Sequence, residues 1–448
     1  MAGVESSSGD VIVFTPKASK APPATTVGVL GWFRQNLFYS WFSTLVTFVA
    51  LYLIFITLAA LYQWGIADAV WDAESRRQCL DASPDGACWA GIVTWFNAIM
   101  YGRYPHEEQW RVNLGFIILF LWMAPMWFPR LKGKISIGIM LVALYPFLAG
   151  YLFAGGERGW FMQFMVILAV TAFINTWLNI FLSLATGRTL GEWIIGLTGF
   201  ADKHERLHKY PILGFTAIVF AIVYVFLNDW TVVGVSTNLW GGLFLTLVIA
   251  GVAIVAALPG GVALALARRS DMPVIRIFAI TFIELFRSVP LITVLFMAVT
   301  MMPLFLPADV QLNKLVQVII GICLFAAAYM AEVVRGGLQA VPNGQYEAAK
   351  AMGLTYSKSM TLIILPQALK LMIPNIVGNF IGLLKDTTLV SIIGLYDMLL
   401  MLKATGQNPI WIGLHIEPLM FGAFVYFILC FAMSQYSQSL EKKLKTTR

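Results

Sequence analysis

Residues 239–266 read LWGGLFLTLVIAGVAIVAALPGGVALAL, a run without a charged side chain, and Arg268 and Arg269 follow close behind it. A helix rises about 1.5 Å per residue and roughly 20 apolar residues cross about 30 Å of hydrocarbon, so the run is long enough to span a bilayer. Outward from it, comparable runs fall at 41–62, 113–128, 135–153, 160–183, 211–227, 274–302, 313–332, 372–395 and 415–434, about ten helices in all. The second and fifth in chain order are short for a span. The chain as a whole is 59% hydrophobic and 12% charged, with a mean hydropathy of +0.79, whereas soluble domains are roughly half apolar. The expected fold is therefore an all-α polytopic integral membrane protein, because in lipid each segment must bond its own backbone amides.

Lysine and arginine between the runs set the orientation. With the N-terminus inside, the segments 1–40, 129–134, 184–210, 267–273, 333–371 and the tail from 435 hold most of them, Arg130, Lys132, Lys134, Arg188, Arg335, Lys350 and Lys442 included. The opposite side holds Arg76, Arg77, Arg103 and Arg111 in one long loop and little more. Both termini are expected in the cytoplasm, the protein in a bacterial inner membrane. The net charge of +7 then reflects this bias, and nucleic acid is not an expected partner. Residues 1–35 contain no apolar h-region, so the first membrane helix is expected to serve as its own insertion signal.

The runs divide near residue 235. A cytoplasmic tail, 1–40, precedes a membrane extension, 41–234, whose external loop 63–112 is rich in Trp, Asp and Arg and reads as an ordered cap. A compact five-helix unit, 235–440, and a short tail, 441–448, complete the chain. No internal repeat stands out, so an ion-coupled secondary transporter, the alternative reading, draws no support from one. No clustered His, Cys or carboxylate constellation points to a polytopic enzyme. His204 and His208 lack acidic or Cys companions, and no metal site is expected.

Cys323 and Cys430 lie in apolar runs and read as small core residues. Cys79 and Cys88 sit in the external loop, where a disulfide and two unlinked thiols are both open readings. Ionisable groups inside the runs carry the strongest functional signal, because charge in hydrocarbon is costly. These are Glu284 and Arg287 in the seventh run, expected near mid-depth, and Lys385 and Asp386 in the ninth. An amino acid carries an ammonium and a carboxylate, and a route for it gains from one partner of each sign. Against that, Glu284 with Arg287 and Glu332 with Arg335 have the i, i+3 spacing of self-neutralising pairs on one helix. Pro290 lacks an N–H and is expected to kink the seventh helix. Trp and Phe elsewhere read as lipid-facing or belt residues.

Between the eighth and ninth runs lies the segment Gly336–Pro366, GGLQAVPNGQYEAAKAMGLTYSKSMTLIILP. Residues 345–352 favour helix, and Gly353 stands where a left-handed cap would end it. Thr355 or Ser357 then caps a second short helix, which Pro366 bounds downstream. Tyr346, Ala349 and Met352 recur on one side at helical spacing. Amphipathicity alone favours a loop lying on the bilayer surface.

The segment resembles the signature loop of bacterial ABC importer permeases: Glu-Ala-Ala, three residues, Gly, nine residues, Ile, one residue, Leu-Pro. Glu347, Ala348, Ala349, Gly353, Ile363, Leu365 and Pro366 match every fixed position, with Gly344 just upstream. Flanking segments, Phe282-Ile-Glu284-Leu-Phe-Arg287-Ser-Val-Pro290, Ala328-Tyr-Met-Ala-Glu332-Val-Val-Arg335 and Leu384-Lys385-Asp386-Thr-Thr-Leu, are similar to the polar amino-acid uptake branch of that family. The first half, through Tyr101-Gly-Arg-Tyr-Pro105, looks like the extended permeases of general L-amino-acid or glutamate, glutamine, aspartate and asparagine importers. The resemblance implies a five-helix permease core over 235–440 and a coupling loop, 336–372, that docks on a cytoplasmic ATPase dimer. It also implies a second permease, a periplasmic amino-acid-binding protein, and no cofactor on this chain. No Walker A pattern occurs, so ATP and magnesium belong to the ATPase. Green fluorescent protein fused after Arg448 should fluoresce, whereas alkaline phosphatase inserted within 63–112 should be active; the reverse pattern would invert the topology.

Overall fold

A computed structural model describes residues 28–127, 134–157, 159–186, 190, 194, 209–307 and 310–445. His204, His208 and the tail up to residue 27 lie outside the described residues. The helices are α1 (Gly28–Asn36), α2 (Trp41–Tyr62), α3 (Arg76–Ala82), α4 (Ala90–Tyr101), α5 (Gln109–Met123), α6 (Lys134–Ala154), α7 (Trp160–Thr186), α8 (Lys209–Leu227) and α9 (Gly242–Arg268). They continue with α10 (Pro273–Ser288), α11 (Leu291–Phe296), α12 (Lys314–Ala340), α13 (Asn343–Ala351), α14 (Tyr356–Ser359), α15 (Leu365–Leu371), α16 (Ile373–Asp386), α17 (Met398–Thr405) and α18 (Ile416–Lys445). Among the described residues no strand forms, and β-type pairing is limited to three isolated backbone bridges.

All ten expected runs are helical. Among the described residues seven helices are long and apolar enough to cross a membrane, and the pair α10 and α11 makes an eighth if counted as one bent span. The shorter α5 and α8 are the two runs that fell short in the sequence. One expectation changes in kind. Pro290 does not kink a continuous helix but ends it: α10 stops at Ser288, and the chain restarts in α11 after a bend of 108°. The cause is steric. Val289, ahead of proline, is driven to φ −109°, ψ 135°, extended rather than helical. Glu284 and Arg287 therefore lie in the last turns of α10, just before the bend.

The chain packs as two units, one of residues up to Trp71 with Cys79–Cys88, the other of Asp72–Gln78 with Trp89 onward. In the first, the Ser40 hydroxyl accepts the Ser43 N–H at 3.1 Å and opens α2, none of which the chain itself buries. A wide turn over Gln63–Ala67 follows, and Ala87 N–H donates to Trp64 O at 2.8 Å. Cys79 and Cys88 are joined by a disulfide, and both are buried. Of the two readings left open by spacing, the bridged one is found.

In the second unit the expected break near 235 is not a packing boundary. Tyr104, Val112 and Phe153 from upstream share one core with Trp240, Phe244 and Leu295 from downstream. Phe244 is its centre, with ring centroids of Phe153, Trp240 and Tyr104 at 5.0, 5.1 and 5.7 Å. These aromatic rings are interior, unlike the lipid-facing or belt role expected of Trp and Phe in general. Within the external loop the apolar α4 is an addition that the span-length criterion could not detect, because it is 12 residues long. The chain turns out of it at Gly102, φ +71°, where an added Cβ would stand 2.3 Å from Gly241 Cα. Only glycine permits that crossing.

Asp397 caps α17, with its carboxylate accepting the N–H groups of Leu399 at 3.2 Å and Leu400 at 3.1 Å. It is wholly buried, beside the bridge of Gly242 to the same residue. Burial pushes its carboxyl up to about 6, against the opposing pull of the two amides and Lys403. The folded state thus binds this proton more tightly than the unfolded chain does, and the stability gained is complete below about 4 and lost as pH rises to about 6. Asp397→Asn keeps the cap without titrating. Its melting temperature relative to the parent should rise between pH 4 and 6, and a pH-independent difference would contradict the assignment.

Candidate functional site

Two features converge where the chain turns back below α9, α10 and α12. One is the loop that carries Glu347, and the other is a set of five charged side chains. α12 ends at Ala340, and Val341 is extended, φ −74°, ψ 126°. Pro342 then holds the position before α13 with no side-chain cap. At the far end Leu354 N–H donates to Ala349 O at 3.2 Å and Gly353 N–H to Lys350 O at 2.9 Å. That bond pair, with Gly353 at φ +67°, is the Schellman closure that glycine favours.

The second helix is longer than its residues implied. Thr355 occupies the cap position, φ −62°, ψ 155°, but its side chain makes no cap bond, and Ser359 N–H donates instead to Thr355 O at 2.9 Å. Pro366 does not bound the helix. A wide turn over Met360–Ile364 precedes it, and it sits in the first turn of α15, where a missing N–H costs nothing.

α13 is fastened by one side and open on the other. Ala349 is buried and Tyr346 half-buried against a core that includes Leu338, Met360, Ile364 and Ala368. The Tyr346 hydroxyl donates to Leu338 O at 2.7 Å and accepts from Arg269 Nη1 at 3.1 Å. Gln367 Nε2 donates to Gln345 Oε1 at 3.1 Å. Met352, expected on the face of Tyr346 and Ala349, is 78% exposed, because it follows the last helical residue and the Gly353 turn swings it out. Gly344, Glu347, Ala348, Met352, Gly353 and Tyr356 are all exposed, Ile363 and Leu365 half-buried, and Pro366 exposed. The result is a shallow surface of small and apolar groups around one carboxylate, held rigidly from behind.

The charges do not pair as the i, i+3 rule alone implied. Glu332 and Arg335 do so at 2.7 Å. Glu284 turns instead to Arg268 at 3.1 Å, and Arg287 to Glu332 at 3.7 Å. Arg268 also meets Glu332 at 2.7 Å, so one carboxylate gathers Arg268, Arg287 and Arg335 from three helices. Arg287 lies over the Tyr329 ring, 5.8 Å from its centroid. Cross-helix partners won because α9 and α10 end beside the inward face of α12, where Glu332 is only 15% exposed. Partly exposed pairs each contribute little, about 0–1 kcal/mol, but an unanswered carboxylate here would be costly.

Lys385 and Asp386 stand apart from this network at the end of α16, Lys385 exposed and Asp386 half-buried, and among the described residues no ion pair links them to it. Lys385 continues a face of α16 that carries Asn375, Gly378 and Gly382, exposed or half-exposed at helical spacing. Sequence reasoning passed over Arg268, Arg269 and the Tyr346 hydroxyl. The signal was available only in part, as two arginines at the end of the run quoted first.

Residues 257–446 match the family model of the binding-protein-dependent transport system inner membrane component. The chain is 39% identical over 417 residues to the inner membrane amino-acid ABC transporter permease protein YhdY of Escherichia coli, covering 93% of each. It is 37% identical to the glutamate/glutamine/aspartate/asparagine transport system permease protein BztC of Rhodobacter capsulatus, covering 96% of each. A solved amino acid ABC transporter with histidines matches at 28% identity and a TM-score of 0.41, over 45% of this chain and 92% of that one. The two permease relatives and the family model support the ATP-driven reading and not the ion-coupled one. Gly353→Val should cost about 1–2 kcal/mol locally, since a side chain resists the left-handed region. It should speed proteolysis at 352–358 about tenfold while the global melting temperature holds; unchanged cleavage would contradict the turn's dependence on glycine.

Proposed function

The chain belongs to the amino-acid permeases of ABC transporters, and from that premise we propose that it forms one half of the inner-membrane path for polar L-amino acids. The observation that carries this is α13, anchored through Tyr346 and Ala349 and presenting Glu347, Ala348 and Met352 outward. A small-residue surface lets a partner approach closely, and a single carboxylate fixes its register. The partner proposed is a cytoplasmic ATPase dimer, which holds the ATP and magnesium. A second, distinct permease completes the path, and a periplasmic binding protein delivers glutamate, glutamine, aspartate, asparagine or related substrates. Both termini lie in the cytoplasm, and this chain itself carries no hydrolytic step.

Movement of the seated α13 reaches the membrane by two connections. One is the chain itself, through Val341 into α12. The other is the Tyr346 hydroxyl to Arg269, whose neighbour Arg268 bridges Glu332 and Glu284. Closure of the ATPase on ATP would thus turn the ends of α9 and α12 together, with α10 tied to them by the weaker contacts of Glu284 and Arg287.

For the route itself, the stripe Asn375, Gly378, Gly382 and Lys385 on α16 supports a water-lined face, because an amide and an ammonium are poor neighbours for lipid. Lys385 and Asp386 then meet the substrate's carboxylate and ammonium, with Glu284 and Arg287 at the inward end. Glu347→Lys should weaken co-purification of the ATPase at least tenfold; an undiminished complex with normal uptake would sink the docking surface. Lys385→Gln and Glu284→Gln should leave assembly intact and lower uptake about tenfold or more, the size of a lost charge-assisted hydrogen bond. Normal uptake by both would remove them from the route.

A further inference from the structure

We infer that an anionic phospholipid of the cytoplasmic leaflet binds in the groove between α9, α15, α16 and α18, with its acyl chain on the apolar walls and its phosphate at Lys370. The groove is about 650 Å³. Leu258, Ile376, Phe380 and Met433 supply its walls, and Lys370 and Tyr436 lie toward one end. Apart from Lys370, the lining residues are apolar or aromatic. From Ile373 to Phe380 along α16 the trough runs about 10 Å, enough for the upper part of an acyl chain.

Three observations choose the occupant. The first is depth. Lys370 lies at the end of the loop assigned to the cytoplasmic side, and Leu440 leads into Lys442 and Lys443, so one end of the groove lies at headgroup level. The second is charge: Lys370, in the lining itself, is exposed. Basic groups at the cytoplasmic end of an apolar inter-helix groove are what a phosphate headgroup seeks. A tyrosine at the same level suits the interface. The third is direction. Successive residues of a helix turn by about 100°. Ile373, Ile376, Val377 and Phe380 therefore share one face of α16, opposite the face of Asn375, Gly378, Gly382 and Lys385. A polar stripe belongs toward water or a partner chain, which leaves the apolar groove toward hydrocarbon.

α15 carries both Lys370 and Pro366, so a lipid seated here would brace the end of the coupling loop. The test uses the assembled complex, purified and delipidated, then reconstituted with phosphatidylglycerol or phosphatidylcholine and read by native mass spectrometry. Phosphatidylglycerol should be retained about tenfold more than phosphatidylcholine. Lys370→Gln should erase that preference, and Val377→Trp should displace both lipids from a complex that still elutes as one species. Equal retention of the two lipids, or a preference indifferent to Lys370→Gln, would overturn the proposal whether or not Val377→Trp folds. Inorganic phosphate competing as well as the whole lipid would also overturn it, since the acyl chain would then contribute nothing. So would a photo-crosslinker at Met433 that captures the second permease in place of lipid.

Discussion

Glu332 is the charge around which the ends of α9 and α10 are arranged. A carboxylate that is only 15% exposed, on a helix long enough to cross a membrane, must be answered by cations. Arg335 supplies one from the same helix, while Arg268 reaches it from α9 and Arg287 from α10. Their meeting fixes where three helices end relative to one another. The break at Pro290 comes shortly after Arg287, so the last turn of α10 ends at this junction and the chain turns away from it by 108°.

From that junction the exposed surface around Glu347 takes its anchorage. Arg268 serves the carboxylates, and Arg269, one residue on, holds Tyr346. The helix α13 is therefore tied to α9, far from it in sequence, as well as to α12, which leads into it. A loop lying on the bilayer by amphipathicity alone would bury its apolar side in lipid. Here Tyr346 and Ala349 bury theirs in protein, and what remains exposed is the side with Glu347.

The opposite end is held differently, by close approach rather than charge. Gly102 and Gly241 cross without a side chain between them, and the aromatic rings around Phe244 fill the space beneath. That packing joins the first half of the chain to the second, and Asp397 closes the same end with a buried cap whose proton is held more tightly than usual. Within the second unit, residues on both sides of position 235 thus share one interior.

The sequence by itself determined whatever depends on neighbours along the chain. Apolar length placed ten helices and Gly353 predicted its own left-handed turn, because each rests on local backbone or transfer energetics. Pro290 was legible as a disruption, although its steric effect on Val289 made a break where a kink was expected. Only the tertiary structure decided partners. Spacing offered Arg287 to Glu284, yet the folded chain brings Arg268 closer, and spacing left Cys79 and Cys88 undecided until their backbones met. The twelve residues of α4 and the interior rings at Phe244 escaped notice for the same reason: an apolar side chain in the sequence is equally suited to lipid or to protein, and only packing across distant segments distinguishes the two.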